Sequence, residues 1–396
     1  MAGLWYNASD PEVILTWERE LGREVRARDP LFDPKYGFTG KADSSLIQIK
    51  DQLTNGPGAN IRTKLRYQLE GRGRAGDETL KGHGEAYKTA TFNIYVDTLR
   101  HYVETSSPIV DQWVSEDTLE EGKDGLADWF ATRYSFSAHI HAAGLGDDSV
   151  ITDPAYTMHN TASAINEDYV IRPNGKAAGA LTASDTFDVE LINQASRLMK
   201  LLRPKIRPAQ TPRGPRYCVF LSPEQVHDLQ RSDSVWFATM QNALAGGRVD
   251  DNPLLTNALG EWRGFIFFES DWVAPGLDAA RGGGAGGGAI TGIKNKTRSA
   301  WIGGAQSLAL AHGRGRAPQG YGLNRYRWIR ETEDFEHIGQ VAATTIVGMA
   351  RPRYTKPGES YARENGVVLI ETYADHDMTG SDVYKDWISA GATLVA

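Results

Sequence analysis

The segment Gly71–Gly76 reads GRGRAG and matches the G-x-G-x-x-G pattern of loops that bind dinucleotides. Such a loop follows a strand and opens a helix, because the helix N-terminus holds the pyrophosphate. The preceding segment Ile61–Leu69 alternates apolar and polar residues, which predicts a strand. The following segment 77–84 begins with acidic residues, which repel phosphate, and contains further glycines, which oppose a helix. The pattern therefore favours an exposed, charged hairpin tip, and a nucleotide-dependent enzyme using Gly71–Gly76 is the weaker alternative.

Two other groups of residues have the types needed for metal binding or nucleophilic catalysis. His139 and His141 diverge on a helix, and no third ligand lies near them, so we interpret them as packing or surface histidines. Cys218 lies inside the apolar segment YCVFL, which predicts a small core residue and argues against a triad with His227 and Asp228. We therefore expect no catalytic residues, no cofactor and no metal site.

Composition excludes several classes of protein. The 396 residues carry a net charge of −7, which gives no general signal for nucleic-acid binding. A single cysteine rules out a disulfide framework within one chain. No apolar run is long enough to span a membrane, and no secretion signal is evident, so the cytoplasm is the expected compartment. The glycine run 282–288 lacks the Gly-Lys-Ser/Thr ending of a phosphate-binding loop and predicts a flexible surface loop.

The strand Ile61–Leu69 and a second alternating segment, Thr91–Val96, predict a long two-stranded ribbon. Residues 70–88 between them contain almost no core-forming side chains. Since an isolated ribbon is marginally stable in water, it needs another surface to cover its apolar face. We expect a neighbouring molecule to supply that surface, so that in a single chain the ribbon projects with its apolar face uncovered. Residues 100–103 are expected to continue its second strand.

Helical periodicity and end signals predict several helices. Ser222, Pro223 and Gln225 have the types of an N-cap, a first helical residue and a capping-box partner. Gly144 is expected to end a long helix. The helices are predicted at 13–25, 115–143, 185–202 and, in pieces, 223–245.

Short apolar segments predict strands in the second half of the chain, after a basic, proline-rich connection at 204–215. The acidic segment 331–334 is expected to separate two of them. Because helices and strands do not alternate regularly, the fold class is α+β. The strands are predicted at 217–221, 262–269, 300–302, 308–311, 326–329, 340–347 and 367–370.

The order of these elements resembles the major capsid protein of tailed phages, which has the Hong Kong 97 fold, and is most similar to the subfamily of the N-four-like phages. Several short motifs in the same order carry the resemblance over about residues 40–375. They are LEGRG at 69–73, GD at 76–77, LKG at 80–82, DTLRH at 97–101, YCVFLSP at 217–223, NPL at 252–254, Gly260 and Gly264, IGGAQ at 302–306, AHG at 311–313, VGMAR at 347–351 and GVV at 366–368.

The resemblance implies a division of the chain into six parts. They are an extended N-terminal arm (1–57), an extended β-hairpin loop (58–104), a peripheral domain with a spine helix (105–205), an axial domain (206–324), return strands of the peripheral domain (325–376) and a C-terminal tail (377–396). The glycine run 282–288 and the tail after Asp377 have no counterpart in the family pattern. The Lys, Asn and Glu that crosslink subunits in the phage that names the fold find no match, so that activity is not transferred.

The resemblance implies a non-enzymatic major capsid protein whose copies form the hexamers and pentamers of an icosahedral virion shell. Its partners would be other copies of itself, the portal, scaffold or decoration proteins and, without sequence preference, the packaged double-stranded DNA of the phage. Contact with a membrane is not expected, and assembly would occur in the host cytoplasm. A cellular nanocompartment shell of the same fold is the alternative.

Three sets of residues are the candidate contacts between subunits. The hairpin loop would contribute Arg62, Lys64, Leu65, Arg66, Tyr67, Leu69, Arg72 and Arg74. The basic residues of this loop would form ion pairs with acidic residues near the start of a neighbour's spine helix. These acidic residues are Glu116, Asp117, Glu120 and Glu121. The arm would contribute Trp5 and Trp17.

Overall fold

The computed structural model describes most of the chain as α+β structure. The described residues are 11–28, 31–33, 37–54, 58–66, 69, 71–86, 88–104, 118–145, 154–177, 180–202, 205–212, 214–232, 258–273, 297–314, 326–333, 338–355 and 361–374. The helices are α1 (Pro11–Arg28), α2 (Thr118–Ala143), α3 (Val189–Leu201) and α4 (Pro223–Ser232). Three short 3-10 turns lie at Gln52–Thr54, Glu167–Tyr169 and Pro173–Gly175.

The strands of the described residues form two large sheets and two small ones. They are β1 (Thr39–Gly40), β2 (Ile47–Lys50), β3 (Asn60–Arg66), β4 (Thr89–Tyr95), β5 (Asp97–Glu104), β6 (Val170–Ile171), β7 (Ala209–Thr211), β8 (Gly214–Leu221), β9 (Ala258–Trp262), β10 (Phe265–Glu269), β11 (Thr297–Gly303), β12 (Leu308–His312), β13 (Tyr326–Glu333), β14 (Ile338–Ala350), β15 (Arg353–Thr355), β16 (Ala362–Glu364) and β17 (Val367–Tyr373). One sheet has the order β1-β2-β12-β14-β13, with β5 beside β14. The other has the order β6-β17-β11-β8-β10-β9, with β7 beside β8. The pairs β3–β4 and β15–β16 are separate.

The long helix α2 confirms the sequence prediction of a long helix over the described residues. Leu126 and Phe130 are fully buried on its inner face. It ends at Gly144, whose positive φ of 76° suits glycine. A side chain at Gly144 would also lie 2.6 Å from the carbonyl oxygen of Ser163, so only glycine fits there.

Helix α1 packs on α2 of its own chain. Leu21 and Val25 of α1 are buried. Arg28 forms an ion pair of 2.5 Å with Asp128 at one end of this contact, and Lys123 lies 3.2 Å from Glu24 further along it. Strand β2 likewise joins the first sheet, parallel to β12. The described parts of residues 1–57 are therefore folded onto their own chain, and a contact of this segment with a neighbour stays a prediction.

Helix α4 confirms the predicted capping box in full. The backbone N–H of Gln225 donates to Ser222 Oγ at 3.3 Å, and the N–H of Ser222 donates to Gln225 Oε1 at 3.2 Å. The Gln225 side chain also donates to Thr372 Oγ1 at 2.9 Å. The capping residue thus fixes α4 to β17 of the second sheet, while residues 233–245 of the predicted helix lie outside the described ones.

Three predictions of strand structure were wrong in part. The predicted strand 262–269 is β10 from Phe265 onward, but Trp262 ends β9, and Arg263 and Gly264, both with positive φ, form the two-residue turn between β9 and β10. The acidic segment 331–334 was predicted to separate two strands, and β13 and β14 are indeed separate, but residues 331–333 belong to β13, which pairs with β14 as far as Glu333 opposite Ile338. Residues 100–103 do not extend the ribbon, since β5 pairs with β14.

Candidate subunit interface

The ribbon β3–β4 forms as the alternating pattern predicts. The antiparallel register places Ile61 opposite Ile94, Thr63 opposite Phe92 and Leu65 opposite Ala90. These pairs lie on one face, because successive side chains of a strand point to opposite sides.

The end of the ribbon that carries Ile61 and Ile94, which we call the root, has its apolar face covered by the chain's own first sheet. Ile61 is 2% exposed and Ile94 is 0% exposed. They form one cluster with Leu53 of a short 3-10 turn and with the alanines of β12 and β14, which are Ala309, Ala311 and Ala350. The prediction that a single chain leaves this face uncovered was therefore wrong for the root. The small side chains of β12 and β14 allow the ribbon to approach closely.

A glycine and an asparagine fix the point where the ribbon meets the sheet. Asn160 donates from Nδ2 to the carbonyl oxygen of Tyr95 at 2.9 Å and accepts from its N–H at 2.9 Å. Gly348 of β14 lies beneath the same residue, where any Cβ would overlap the Tyr95 oxygen. A glycine inside a strand indicates such a close approach, so sequence could have found Gly348. No pattern marks Asn160.

The β15–β16 pair supports the ribbon further along. Tyr354 packs edge-on against Phe92 with ring centroids 6.2 Å apart, and its hydroxyl lies 3.4 Å from Thr63 Oγ1. Ala90 and half-buried Leu65 join this contact. The chain itself therefore holds the ribbon along β3 and β4, which leaves the tip beyond these strands as the part that can reach a neighbour.

The tip of the ribbon, residues 69–86, is exposed at every described position. Leu69 is 62% exposed and Leu80 is 72% exposed, which is unusual for leucine. Glu78 pairs with Arg72 at 3.3 Å and with Arg74 at 3.1 Å. The tip thus holds its shape through its own polar contacts and presents two leucines that the described residues do not cover.

The other predicted contact residues lie on β3, on the two helices α1 and α2, and in segments outside the described structure. Arg62 and Lys64 are exposed on the outer face of β3, where Arg62 Nε donates to Asn93 Oδ1 at 3.3 Å. Arg66 ends β3, Glu120 lies in α2 and Trp17 lies in α1, but their side chains are outside the described structure. Glu121 is exposed on the first turns of α2. Tyr67, Glu116, Asp117 and Trp5 lie outside the described residues. All contacts of these residues with a neighbour stay predictions.

The two histidines of α2 are packing residues, as interpreted. The Trp301 Nε1–H donates to His139 Nδ1 at 2.8 Å, so His139 carries its proton on Nε2, which donates to Ser270 Oγ at 2.9 Å. His141 Nε2 donates to the carbonyl oxygen of Thr157 at 2.8 Å. Burial lowers the pKa of His139 to about 3 and that of His141 to about 4. Both rings are therefore neutral and structural.

We expect acid to destabilise the subunit through these histidines. In the unfolded chain they have a pKa near 6.5, and in the folded chain one of about 3 or 4. Below pH 6.5 the unfolded state thus binds more protons, and each histidine lowers the free energy of unfolding by about 1.4 kcal/mol per pH unit until its folded pKa is reached. Denaturant unfolding at pH 7, 6 and 5 should show a weaker pH dependence in His139→Gln than in the wild type. An unchanged dependence would contradict this assignment.

The remaining chemical candidates do not form reactive sites. Cys218 is fully buried in β8, and burial raises the pKa of its thiol. The Gly71–Gly76 loop is followed by turns of the exposed tip, so no helix N-terminus meets it. Among the described residues no group of His, Cys, Asp or Glu is arranged to hold a metal ion. No described helix is long and apolar enough to cross a membrane.

Comparison with known proteins decides the family. A family model described as phage capsid protein matches residues 15–376. The chain belongs to the phage capsid protein family. It is a phage major capsid protein, a structural component of the virion whose identical copies assemble into a shell.

Solved capsid structures show the fold of this capsid protein. The capsid of Ralstonia phage GP4 is 24% identical with a TM-score of 0.67, over 86% of this chain and 90% of that one. The capsid of cyanophage Pam1 is 19% identical with a TM-score of 0.65, over 95% and 97%. The head protein of Helicobacter pylori bacteriophage KHP40 is 13% identical with a TM-score of 0.59, over 88% and 91%. The predicted α+β Hong Kong 97 fold is confirmed, and the nanocompartment alternative is not favoured. No curated protein matches the sequence.

Proposed function

We propose that this capsid protein forms the hexamers and pentamers of a closed icosahedral shell around double-stranded phage DNA, and that the tip of each subunit lies on the adjacent subunit. The observation that supports this is the contrast between the two halves of the ribbon. Its root is buried on the subunit's own sheet, whereas Leu69 and Leu80 of the tip are exposed. A rigid root with an uncovered apolar end is suited to bind a second copy.

The contact we propose is weak for each subunit and strong in the shell. Burying a leucine side chain is worth about 1.5–3 kcal/mol. An exposed ion pair between Arg62 or Lys64 and a neighbour's carboxylate adds about 0.2–1 kcal/mol. Contacts of this size are weak enough for a wrongly placed subunit to dissociate. In the closed shell the free energies of all these contacts add up and stabilise the particle.

We assign the six parts of the chain by the same reasoning. Residues 58–104 are the hairpin loop together with β5, which returns from the loop into the first sheet. Residues 105–205 and 325–376 are the peripheral domain, and 206–324 the axial domain that meets its copies at the capsomer centre. Residues 1–57 reach the neighbour through Trp5, in the part that precedes α1, and through Trp17 of α1. The portal, scaffold or decoration proteins are further partners, assembly takes place in the host cytoplasm, and the protein performs no enzymatic step.

Reversing the charge on the outer face of the ribbon should prevent shell closure without unfolding the subunit. In the variant Arg62→Glu, Lys64→Glu, Arg66→Glu the described side chains at 62 and 64 are exposed, so the fold tolerates the change. Like charges would then oppose the acidic residues Glu116, Asp117, Glu120 and Glu121 of the neighbour. Negative-stain microscopy of the expressed variant should show soluble subunits or open rings instead of closed shells.

A matched variant separates a local contact from the effect of net charge. Arg100, Arg327 and Arg330 are exposed basic residues on β5 and β13, away from the ribbon. Changing all three to Glu alters the net charge by the same amount, and this variant should still close shells. Normal particles from the ribbon variant would refute the proposed contact.

A further inference from the structure

One part of this acidic protein is strongly basic. Between residues 191 and 223 the chain carries seven Lys or Arg residues and no Asp or Glu, although its net charge is −7. The described residues of this stretch form most of α3, the connection 205–208, the strand β7 and all of β8. The proline-rich connection noted in the sequence lies at its centre, and the interface between subunits proposed above does not use it.

The basic side chains of this region lie on the surface around the outer face of α3. The helix buries Leu191, Ile192 and Met199, while Arg197 and Lys200 are exposed. Lys205 and Arg207 follow the helix and are exposed as well. Exposed Arg263, from the β9–β10 turn, donates from Nη1 to Asn193 Oδ1 of α3 at 2.7 Å. We call the set Arg197, Lys200, Lys205, Arg207 and Arg263 the basic patch.

Most of the charge of the basic patch is not neutralised. Arg197 and Lys205 form no ion pair with a described residue, and Arg207 donates to the neutral amide oxygen of Gln306 at 2.9 Å. Arg216, at the edge of the patch, differs because it pairs with Glu261. Arg197, Lys205 and Arg207 therefore present positive charge outward instead of pairing with described carboxylates of their own chain.

The length of chain that carries the basic patch limits its extent. From Asn193 to Leu201 a helix rises about 12 Å. The four residues from Leu201 to Lys205 span at most about 14 Å. The Cα atoms of Asn193 and Lys205 thus lie at most about 26 Å apart, and a DNA duplex presents a phosphate charge about every 1.7 Å along its axis.

We propose that the basic patch is the surface on which the subunit contacts the phosphate backbone of duplex DNA, without sequence preference. The inference rests on the proposed function, because it requires a shell that encloses DNA. Long flexible cations on a convex helix suit phosphates, which need no pocket. A protein partner of comparable size would need a cluster of apolar anchors, whereas Leu201 is the one exposed large apolar side chain on the described residues of this patch.

The test measures binding of unassembled full-length subunits to a fluorescein-labelled 30-base-pair duplex of random sequence, by anisotropy between 50 and 200 mM salt. The patch variant carries Arg197→Gln, Lys205→Gln and Arg207→Gln. Each lost phosphate contact makes the dependence of log affinity on log salt less steep by about 0.9, so we expect a change of about 2.7. The control variant, with Arg100→Gln, Arg327→Gln and Arg330→Gln, removes the same charge and should retain the wild-type slope.

The assignment would be overturned if the patch variant showed the same salt dependence of DNA affinity as the wild type. It would also be overturned if the patch variant and the control variant changed that dependence equally. A patch variant that loses binding to polyglutamate but not to DNA would assign the surface to an acidic protein, and would overturn it too. Negative-stain microscopy of the same preparations keeps the two proposals distinct. Failure of the wild type to form shells refutes the proposed function, while normal shells with unchanged DNA binding refute only the basic patch.

Discussion

Replacing the tip, residues 69–86, by the dipeptide Asn-Gly should abolish closed shells and leave the subunit folded. Tyr67, Gln68, Tyr87 and Lys88 remain to complete the connection between β3 and β4, whose pairing ends at Arg66 opposite Thr89. Every described residue of the tip is exposed, so the free energy of unfolding should change by less than about 0.5 kcal/mol. Negative-stain microscopy shows whether closed shells form, and denaturant unfolding of the unassembled subunit gives the free energy of unfolding.

A milder pair of variants tests whether the leucines carry the effect. Leu69→Ser with Leu80→Ser keeps the length and charges of the tip and removes its exposed apolar side chains. Leu201→Ser is the control, because Leu201 has the same exposure as Leu69, 62%, and lies on α3. We expect the double variant to raise the subunit concentration needed for assembly and the control to leave it unchanged. Efficient assembly of the tip-deleted or double variant would contradict the role of the tip.

The second large effect is on stability and concerns Arg351, which lies directly after β14 and caps the end of α2. Its guanidinium lies 2.8 Å from the carboxylate of Glu364, and it donates to the carbonyl oxygens of His141 at 2.9 Å and Ser163 at 2.6 Å. Both charged side chains are buried. Changing Arg351 to Met leaves a buried carboxylate and several carbonyls without their donor, so the free energy of unfolding should fall by about 3–5 kcal/mol.

Two companion variants distinguish the buried pair from a general loss of packing. Arg351→Met with Glu364→Gln removes both charges and should recover part of the loss, since no uncompensated carboxylate remains. Arg353→Met changes a nearby, half-buried arginine whose one hydrogen bond with a described residue is to the carbonyl oxygen of Ala164, at 3.4 Å, and should cost less than about 1 kcal/mol. Equal losses in Arg351→Met and Arg353→Met would refute the capping role.

Local patterns in the sequence were sufficient to predict the elements that local interactions determine. The capping box of Ser222 and Gln225, the end of α2 at Gly144 and the alternation of Ile61–Leu69 each depend on residues a few positions apart. The start of α3 was placed too early, at 185. Asp185 instead binds Lys176 at 2.6 Å, and Asp188 caps the helix by accepting from the N–H of Leu191 at 3.0 Å.

Contacts between distant segments account for the features that the sequence did not predict. Ile61 is covered by alanines some 250 or more positions away, and nothing near Ile61 indicates them. The clamp of Asn160 on Tyr95 likewise joins segments with no shared pattern. For the candidate interface, sequence located the ribbon and its charged tip but assigned its whole apolar face to a neighbour. The structure restricts the candidate contact to the tip and the outer face of β3.

A reconstruction of the assembled shell at a resolution that shows side chains tests the central claim most directly. The claim is that the tip exposed in one subunit is covered by the next. We predict density for residues 69–86 against an adjacent subunit, with Leu69 and Leu80 buried in that contact. A shell in which the tip of every subunit points into solvent, with both leucines as exposed as in the single chain, would contradict it.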